Sequence, residues 1–210
     1  MPRARALPIE WPLIADIAAR VAIVSAFSWQ AVRIIQAWMA TGRVSSLLFL
    51  VAGILIVSFT ITRRQATRIE ASWHGRVVAL IGTFAPSALR PADLQVLPDY
   101  VLGACILLGA VLAVYSIIFL GRNIGIIAAH RGISLRGPYR VIRHPLYASY
   151  LIMHAGYVGA NVSVWNVGMW IIAEAAQMAR TLYEERVLTT DPAYRDYQQR
   201  VRWRIIPGVF

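Results

Sequence analysis

The sequence predicts an all-α, polytopic integral membrane protein of five to six transmembrane helices, and three observations carry that prediction. Apolar residues make up 58% of the 210 positions and charged residues only 15%, against about 25% charged in ordinary soluble domains. Several apolar runs approach or exceed the roughly 20 residues that a bilayer core requires. The cations, 21 in all and every one an arginine against 10 acids, fall between those runs, as they do in cytoplasmic loops. A net charge of +11 would suit nucleic acid only if it formed a basic face on a soluble domain. The pattern therefore argues for membrane lipid and against nucleic acid as a partner.

The first apolar run, Leu13 to Met39, is interrupted by Asp16, Arg20 and Arg33. Asp16 and Arg20 are four apart and can pair on one helical face. The stretch before it has Arg3 and Arg5 but then Pro8, Glu10 and Pro12, unlike the uninterrupted core of a signal peptide, so a retained cytoplasmic start is expected. Ser45 to Thr62 is a clean second span. Val77 to Leu89 is short and contains Gly82 and Pro86, which predicts a kinked or partial span and leaves the count between five and six. Tyr100 to Leu120 is the clearest span. Pro145 to Gly159 and Val162 to Ala179 then form a hairpin with only a few residues around Asn161 between them. Asp191, a good N-cap ahead of Pro192 at the first helical position, starts a short polar C-terminal helix packed against the cytoplasmic face.

Arginine placement orients the chain. With the N-terminus inside, Arg63, Arg64, Arg68, Arg76, Arg122, Arg131, Arg136, Arg140, Arg143 and the C-terminal set are cytoplasmic; only Arg43 and Arg90 lie in outer loops. This is a positive-inside asymmetry with both termini in the cytoplasm. The absence of an internal repeat or low-complexity linker makes residues 1–210 one domain. The single cysteine, Cys105, sits in an apolar run; it is expected to be a small buried residue, and no metal cluster can be built on it.

Two segments carry chemistry. Arg136 to Tyr147 (RGPYRVIRHPLY) brings three arginines, a histidine and two tyrosines to the start of a helix. Proline is favoured in a first helical turn, so Pro145 places His144 at the cap. The backbone N–H groups of a helix start favour carboxylates or phosphates, although a ring of headgroup-binding arginines would look the same. On the next helix Glu174, Gln177, Arg180, Thr181 and Glu184 fall within roughly a third of the circumference at about 100° per residue. A polar stripe on an apolar helix lines a cavity or polar path, because polar groups facing lipid are expensive. Glu174 could instead be a structural partner of Asn161, Gln177 or an arginine. Arg180 and Glu184 could be a plain ion pair, but arginine before glutamate is the weaker order for one.

Gly137-Pro-Tyr-x-x-x-Arg143-His144-Pro145-x-Tyr147, then Glu184-Glu185-x-x-Leu188, then Tyr194-x-x-Tyr197-x-x-Arg200-Val201-x-x-Arg204 and a Pro-Gly ending together resemble the isoprenylcysteine carboxyl methyltransferase family, with related phospholipid N-methyltransferases sharing much of the pattern. The resemblance covers about Arg122 to Phe210; the N-terminal helices carry no signature. It implies S-adenosylmethionine as methyl donor on the cytoplasmic side of the C-terminal hairpin, with the C-terminal helix over it. By matching position, Tyr139, His144, Pro145, Leu146 and Tyr147 would contact the cofactor. The loop Arg131, Gly132, Ile133 and Ser134 falls at a cofactor-binding stretch, with side chains that match less well. Arg180 corresponds to the arginine that steers the substrate carboxylate, and Glu184 to its acidic partner. One departure is Ser149, where the family usually has glycine; a hydroxymethyl there is expected to narrow the pocket.

The implied substrate is a lipophilic small molecule or a prenylated compound. A carboxylate acceptor is already ionised near neutral pH and needs no base, so positioning carries the reaction. Arg180 would hold it bidentately, and the rings of Tyr139 and Tyr147 would face the sulfonium. An amine acceptor would need a base, for which Glu184 and His144 are the candidates. The alternatives are an NADPH-dependent membrane reductase of the sterol-reductase type, whose 2′-phosphate the arginines could hold, and a scaffold binding anionic lipid. An arginine-only, one-cysteine composition suits a bacterial inner membrane.

Overall fold

A computed structural model describes residues 10–62, 68–69, 72–120, 129–130 and 134–210. Helix α1 (Glu10–Thr41) and helix α2 (Val44–Ile61) are joined through Gly42. Its φ of +67° is one that glycine adopts without penalty, and its N–H reaches back to the Trp38 carbonyl at 2.7 Å, ending α1. Asp16 and Arg20 pair at 2.8 Å. Helix α3 (Trp73–Phe84) is capped by the Ser72 hydroxyl, which accepts from Gly75 N at 3.1 Å. It gives way at Ala85–Ala88 to a 3-10 turn holding Pro86, which cannot continue an α ladder. The Pro86 carbonyl instead accepts from the Gln30 amide of α1 at 2.6 Å. The expected third segment is thus a short helix with a broken end.

Helix α4 (Asp99–Leu120) begins where α2 begins. Asp99 Oδ2 accepts from the backbone N–H groups of Val44 and Ser45 at 2.8 and 3.3 Å, satisfying donors that the start of α2 would leave open. Helix α5 (Pro145–Ala160) lies closest against α4. Any Cβ on Gly109 or Gly156 would stand within about 3 Å of the facing helix, so small residues set this approach, as is common between membrane helices. Helix α6 (Val164–Leu188), capped by Ser163, runs past the Ala179 at which the hydrophobic span ends and carries Arg180, Glu184 and Glu185 on its last turns. Helix α7 (Pro192–Arg200) starts as expected, with Asp191 Oδ1 accepting from Ala193 N at 2.9 Å. Two short strands, β1 (Arg68–Ile69) and β2 (Ala129–His130), pair antiparallel.

The bundle has two distinct ends. At one, Arg43 donates to the carbonyls of Ala92, Asp93 and Ala160 at 2.8, 2.8 and 3.0 Å, tying the α1–α2 turn to the segment before α4 and to the α5–α6 turn. At the other stand the end of α6, α7 and the Arg143–His144 segment. Between them, Ile34, Phe49, Ile106, Met153 and Tyr157 form the central core. Outside it, Val21, Val51, Ile54, Leu107, Leu108 and Ile118 are exposed. Exposed aliphatic surface on this scale has lipid as its natural solvent. Asp16–Thr41, Val44–Ile61 and Asp99–Leu120 are each long and apolar enough to cross a bilayer, and the chain is a helical membrane protein. Cys105 is a free cysteine and half-buried, more exposed than the buried residue expected.

Candidate active site

At the α6–α7 end, the Arg143–His144 segment is held like a strand. Arg143 N donates to Trp203 O at 2.9 Å and His144 N to Arg204 O at 2.8 Å, so the residues after α7 lie alongside the entry to α5. Just upstream, Gly137–Arg140 forms a 3-10 turn. Gly137 has φ +59°, and a Cβ there would run into the Phe119 ring, which accounts physically for glycine at the head of Gly-Pro-Tyr. The turn buries Tyr139, whose carbonyl accepts from Tyr197 OH at 2.6 Å. Burial, and then the charge of Glu184, push the Tyr139 phenol up, so it stays neutral.

Glu185 is the hub. Its Oε1 takes Arg143 Nε at 2.7 Å and faces His144 Nε2 at 3.2 Å. Its Oε2 takes Arg204 Nε at 3.0 Å and Gln198 Nε2 at 3.2 Å. Burial would raise this carboxyl, but the hydrogen bond and charge of His144, joined by those of Arg143, overcome it and lower it from 4.5 to about 2. Arg143 is itself buried and also donates to the carbonyls of Val201 and Arg202 at 2.8 and 3.0 Å. Arg143, expected from the sequence only as one of the cytoplasmic arginines, thus also fastens the C-terminal segment to α6.

Glu184 faces the other way. Tyr147 OH donates to its Oε1 at 2.5 Å, and Arg180 Nε stands 3.3 Å from the same oxygen. The Arg180 guanidinium lies 5.4 Å from the centre of the Tyr147 ring, within cation–π range. His144 joins the two carboxylates, its Nδ1 3.8 Å from Glu184 and its Nε2 on Glu185. Arg180, Tyr147 and Leu146 also line a cavity among α1, α2, α3, α5 and α6 that encloses about 830 Å³ of empty space, counting that at its open mouth. Its wall is mostly apolar: Ile23, Phe27, Phe49, Ile56 and Met153 contribute.

The expected residues Tyr139, His144, Tyr147, Arg180 and Glu184 thus converge on one cluster. Pro145 is fully buried at the first turn of α5, and Leu146 packs on Ala113 and Ile117 of α4 as well as on the cavity. Ser134 donates to Phe119 O at 2.8 Å, which anchors its loop to the end of α4. Arg131, Gly132 and Ile133 lie outside the described residues. The backbone N–H groups of Tyr147 and Ala148 are taken by His144 O at 3.1 and 3.2 Å. Ser149 is buried, its hydroxyl turned back to Leu146 O at 2.6 Å against α4. It is not among the residues that line the apolar cavity.

Glu174 pairs with His154 of α5, Oε1 to Nδ1 at 2.7 Å, instead of with Asn161, Gln177 or an arginine. His154 was overlooked in the sequence because a lone histidine in an apolar helix has no spacing signal; only Glu174 hinted at a partner. Glu185 was visible as half of Glu184-Glu185, and Tyr150, which stacks on His154 at 6.1 Å, had no signal beyond α5 itself. No protein-family model and no curated protein matches the chain.

Proposed function

We propose that this protein is an integral membrane methyltransferase that transfers a methyl group from S-adenosylmethionine to the carboxylate of a lipophilic acceptor, an isoprenylcysteine-like or isoprenoid compound. The observation that carries the reading is Arg180: a buried guanidinium at the polar end of an apolar cavity, oriented by Glu184 and Tyr147. A guanidinium has five N–H donors in a planar fork, enough to hold a substrate carboxylate alongside Glu184. The acceptor needs no base, and Glu184, already engaged by Tyr147 and Arg180, is better placed to orient than to deprotonate. That favours a carboxylate over an amine acceptor.

Tyr139, His144, Pro145, Leu146 and Tyr147 are the residues proposed to hold the cofactor, with Glu184 as the nearby carboxylate; the resemblance adds Arg131, Gly132, Ile133 and Ser134. A carboxylate and aromatic faces suit a sulfonium cation with an ammonium-bearing tail. Tyr194 adds support: its phenol OH is buried without a hydrogen-bond partner among the described residues, and buried hydroxyls ordinarily have one. S-adenosylmethionine supplies an electrophilic methyl group; the protein's residues hold the acceptor's carboxylate in line and keep water out. The proposed topology adds α3 with its broken end, α5 and α6 to the three long apolar helices, in a bacterial inner membrane with this end and both chain termini in the cytoplasm.

Calorimetry on the detergent-solubilised protein tests the cofactor. S-adenosylmethionine or its demethylated product should bind with micromolar affinity, and NADPH should not; binding of NADPH alone would turn the reading to a membrane reductase. Arg180→Ala should cut methylation of a lipophilic acid about a hundredfold, the order expected for losing a buried charge-assisted contact, while cofactor affinity changes less than threefold. Equal loss of both would make Arg180 structural.

A further inference from the structure

The membrane-level cavity has a second polar station that the proposed methyl transfer does not use. His154 and Gln177 both line it, and Glu174 stands behind His154 at 2.7 Å. All three are more than nine-tenths buried. The Gln177 amide oxygen is buried with no hydrogen-bond partner among the described residues, and its amide rests in the space that Gly82 leaves by having no side chain. A buried amide oxygen left unpaired is costly, and buried polar groups are ordinarily satisfied. Groups so placed in the hydrocarbon region mark substrate paths more often than they mark stability.

The geometry points to a bifunctional acceptor: a lipophilic acid that carries a hydroxyl partway along its chain, with its carboxylate at Arg180 and that hydroxyl between Gln177 and His154. The inference rests on the proposed placement of the carboxylate. The depth follows from helix rise. Gln177 lies three residues from Arg180 and His154 seven from Tyr147, so the station spans about 5–10 Å below the charged end. An extended alkyl chain reaches the middle of that span in roughly six carbons at ~1.3 Å of advance per bond. A hydroxyl is chosen because it donates and accepts. Donation to the Gln177 oxygen satisfies the unpaired acceptor. With Glu174 holding Nδ1, His154 Nε2 accepts when the ring is neutral and donates when it is protonated, and a hydroxyl can serve it either way.

Binding without cofactor tests this independently of methyl transfer. Tritiated octadecanoic acid on the full-length protein in nanodiscs is displaced by unlabelled octadecanoic, 2-hydroxyoctadecanoic or 7-hydroxyoctadecanoic acid. The 7-hydroxy acid should bind at least tenfold tighter than the other two. Gln177→Leu and His154→Phe should each remove that gain while retaining octadecanoic acid binding. Gln177→Leu leaves the His154–Glu174 pair intact, which keeps the comparison available if His154→Phe fails to fold. Equal affinity for the three acids, no binding of any, or a gain that survives both substitutions would overturn the inference. Failure of the cofactor reading appears elsewhere, as absent S-adenosylmethionine binding with the ranking of the acids unchanged.

Discussion

Glu184 and Glu185 are neighbours in sequence with separate environments, and the separation follows from one helical step of about 100°. Glu184 turns toward Tyr147 and Arg180, at the cavity; Glu185 turns toward Arg143, Arg204 and Gln198, under the C-terminal segment. The Glu185 carboxyl is lowered from 4.5 to about 2, so its contribution to stability is present in full above pH 4.5 and is lost as pH falls from there toward 2. Glu185→Gln should therefore lower the thermal midpoint at neutral pH and flatten the midpoint's decline between pH 5 and 3. Parallel acid limbs in the two proteins would remove Glu185 from that role. The sequence made Arg180 and Glu184 readable because they share one face of an apolar helix. It hid what Arg143 does, since a buried arginine and a topology-setting arginine look alike until the carbonyls of Val201 and Arg202 are seen beside it.

Among the elements, those with a strong local signal were legible and those defined by partners were not. The spans α2 and α4 follow from uninterrupted apolar runs, and the start of α7 from Asp191 and Pro192. The last turns of α6 are too polar for a span yet continue the helix because Glu185, Arg180 and Thr181 are buried against other elements. The 3-10 turn at Gly137 is specified by a contact with α4 that no local pattern reveals. Gly137→Ala should destabilise the protein by about 1–3 kcal/mol, combining the left-handed backbone cost with the collision at Phe119. It should also weaken S-adenosylmethionine binding by misplacing Tyr139. Gly168→Ala, within α6 and with nothing within 4 Å of an added Cβ, is the control and should hold or slightly raise the thermal midpoint. Matching losses in the two variants would show that the cost is general to glycine replacement and not to this turn.

For the whole molecule, the two ends of the bundle differ in charge in the way that sets orientation. Arg43 and Arg90 stand at the α5–α6 turn, Arg43 spent on three carbonyls and Arg90 lying 4.2 Å over the Trp165 ring. The opposite end holds Arg136, Arg140, Arg143, Arg186, Arg195, Arg200, Arg202 and Arg204. Positive charge near the ends of spans is retained on the cytoplasmic side, so the proposed methyl-transfer site should face the cytoplasm, where S-adenosylmethionine would be available. Cys105 is the single cysteine, which makes labelling simple once it is replaced by alanine. In that background Asp93→Cys should react with a membrane-impermeant maleimide in intact spheroplasts, whereas Thr190→Cys should react only in inverted vesicles or after permeabilisation. If Thr190→Cys is labelled from outside, the bundle is inverted and the cofactor assignment falls with it, because the candidate site would then open away from the donor. If both positions are labelled from the same side, an even number of crossings lies between them, in place of the odd number implied by α4, α5 and α6, and one of the three does not cross. The experiment therefore reads the orientation of the site from Thr190 alone and the parity of crossings after Asp93 from the pair: opposite sides require an odd number, and the three crossings of α4, α5 and α6 are what the arrangement of Arg43, Ala92 and Ala160 at one end and Arg143 and Glu185 at the other predicts.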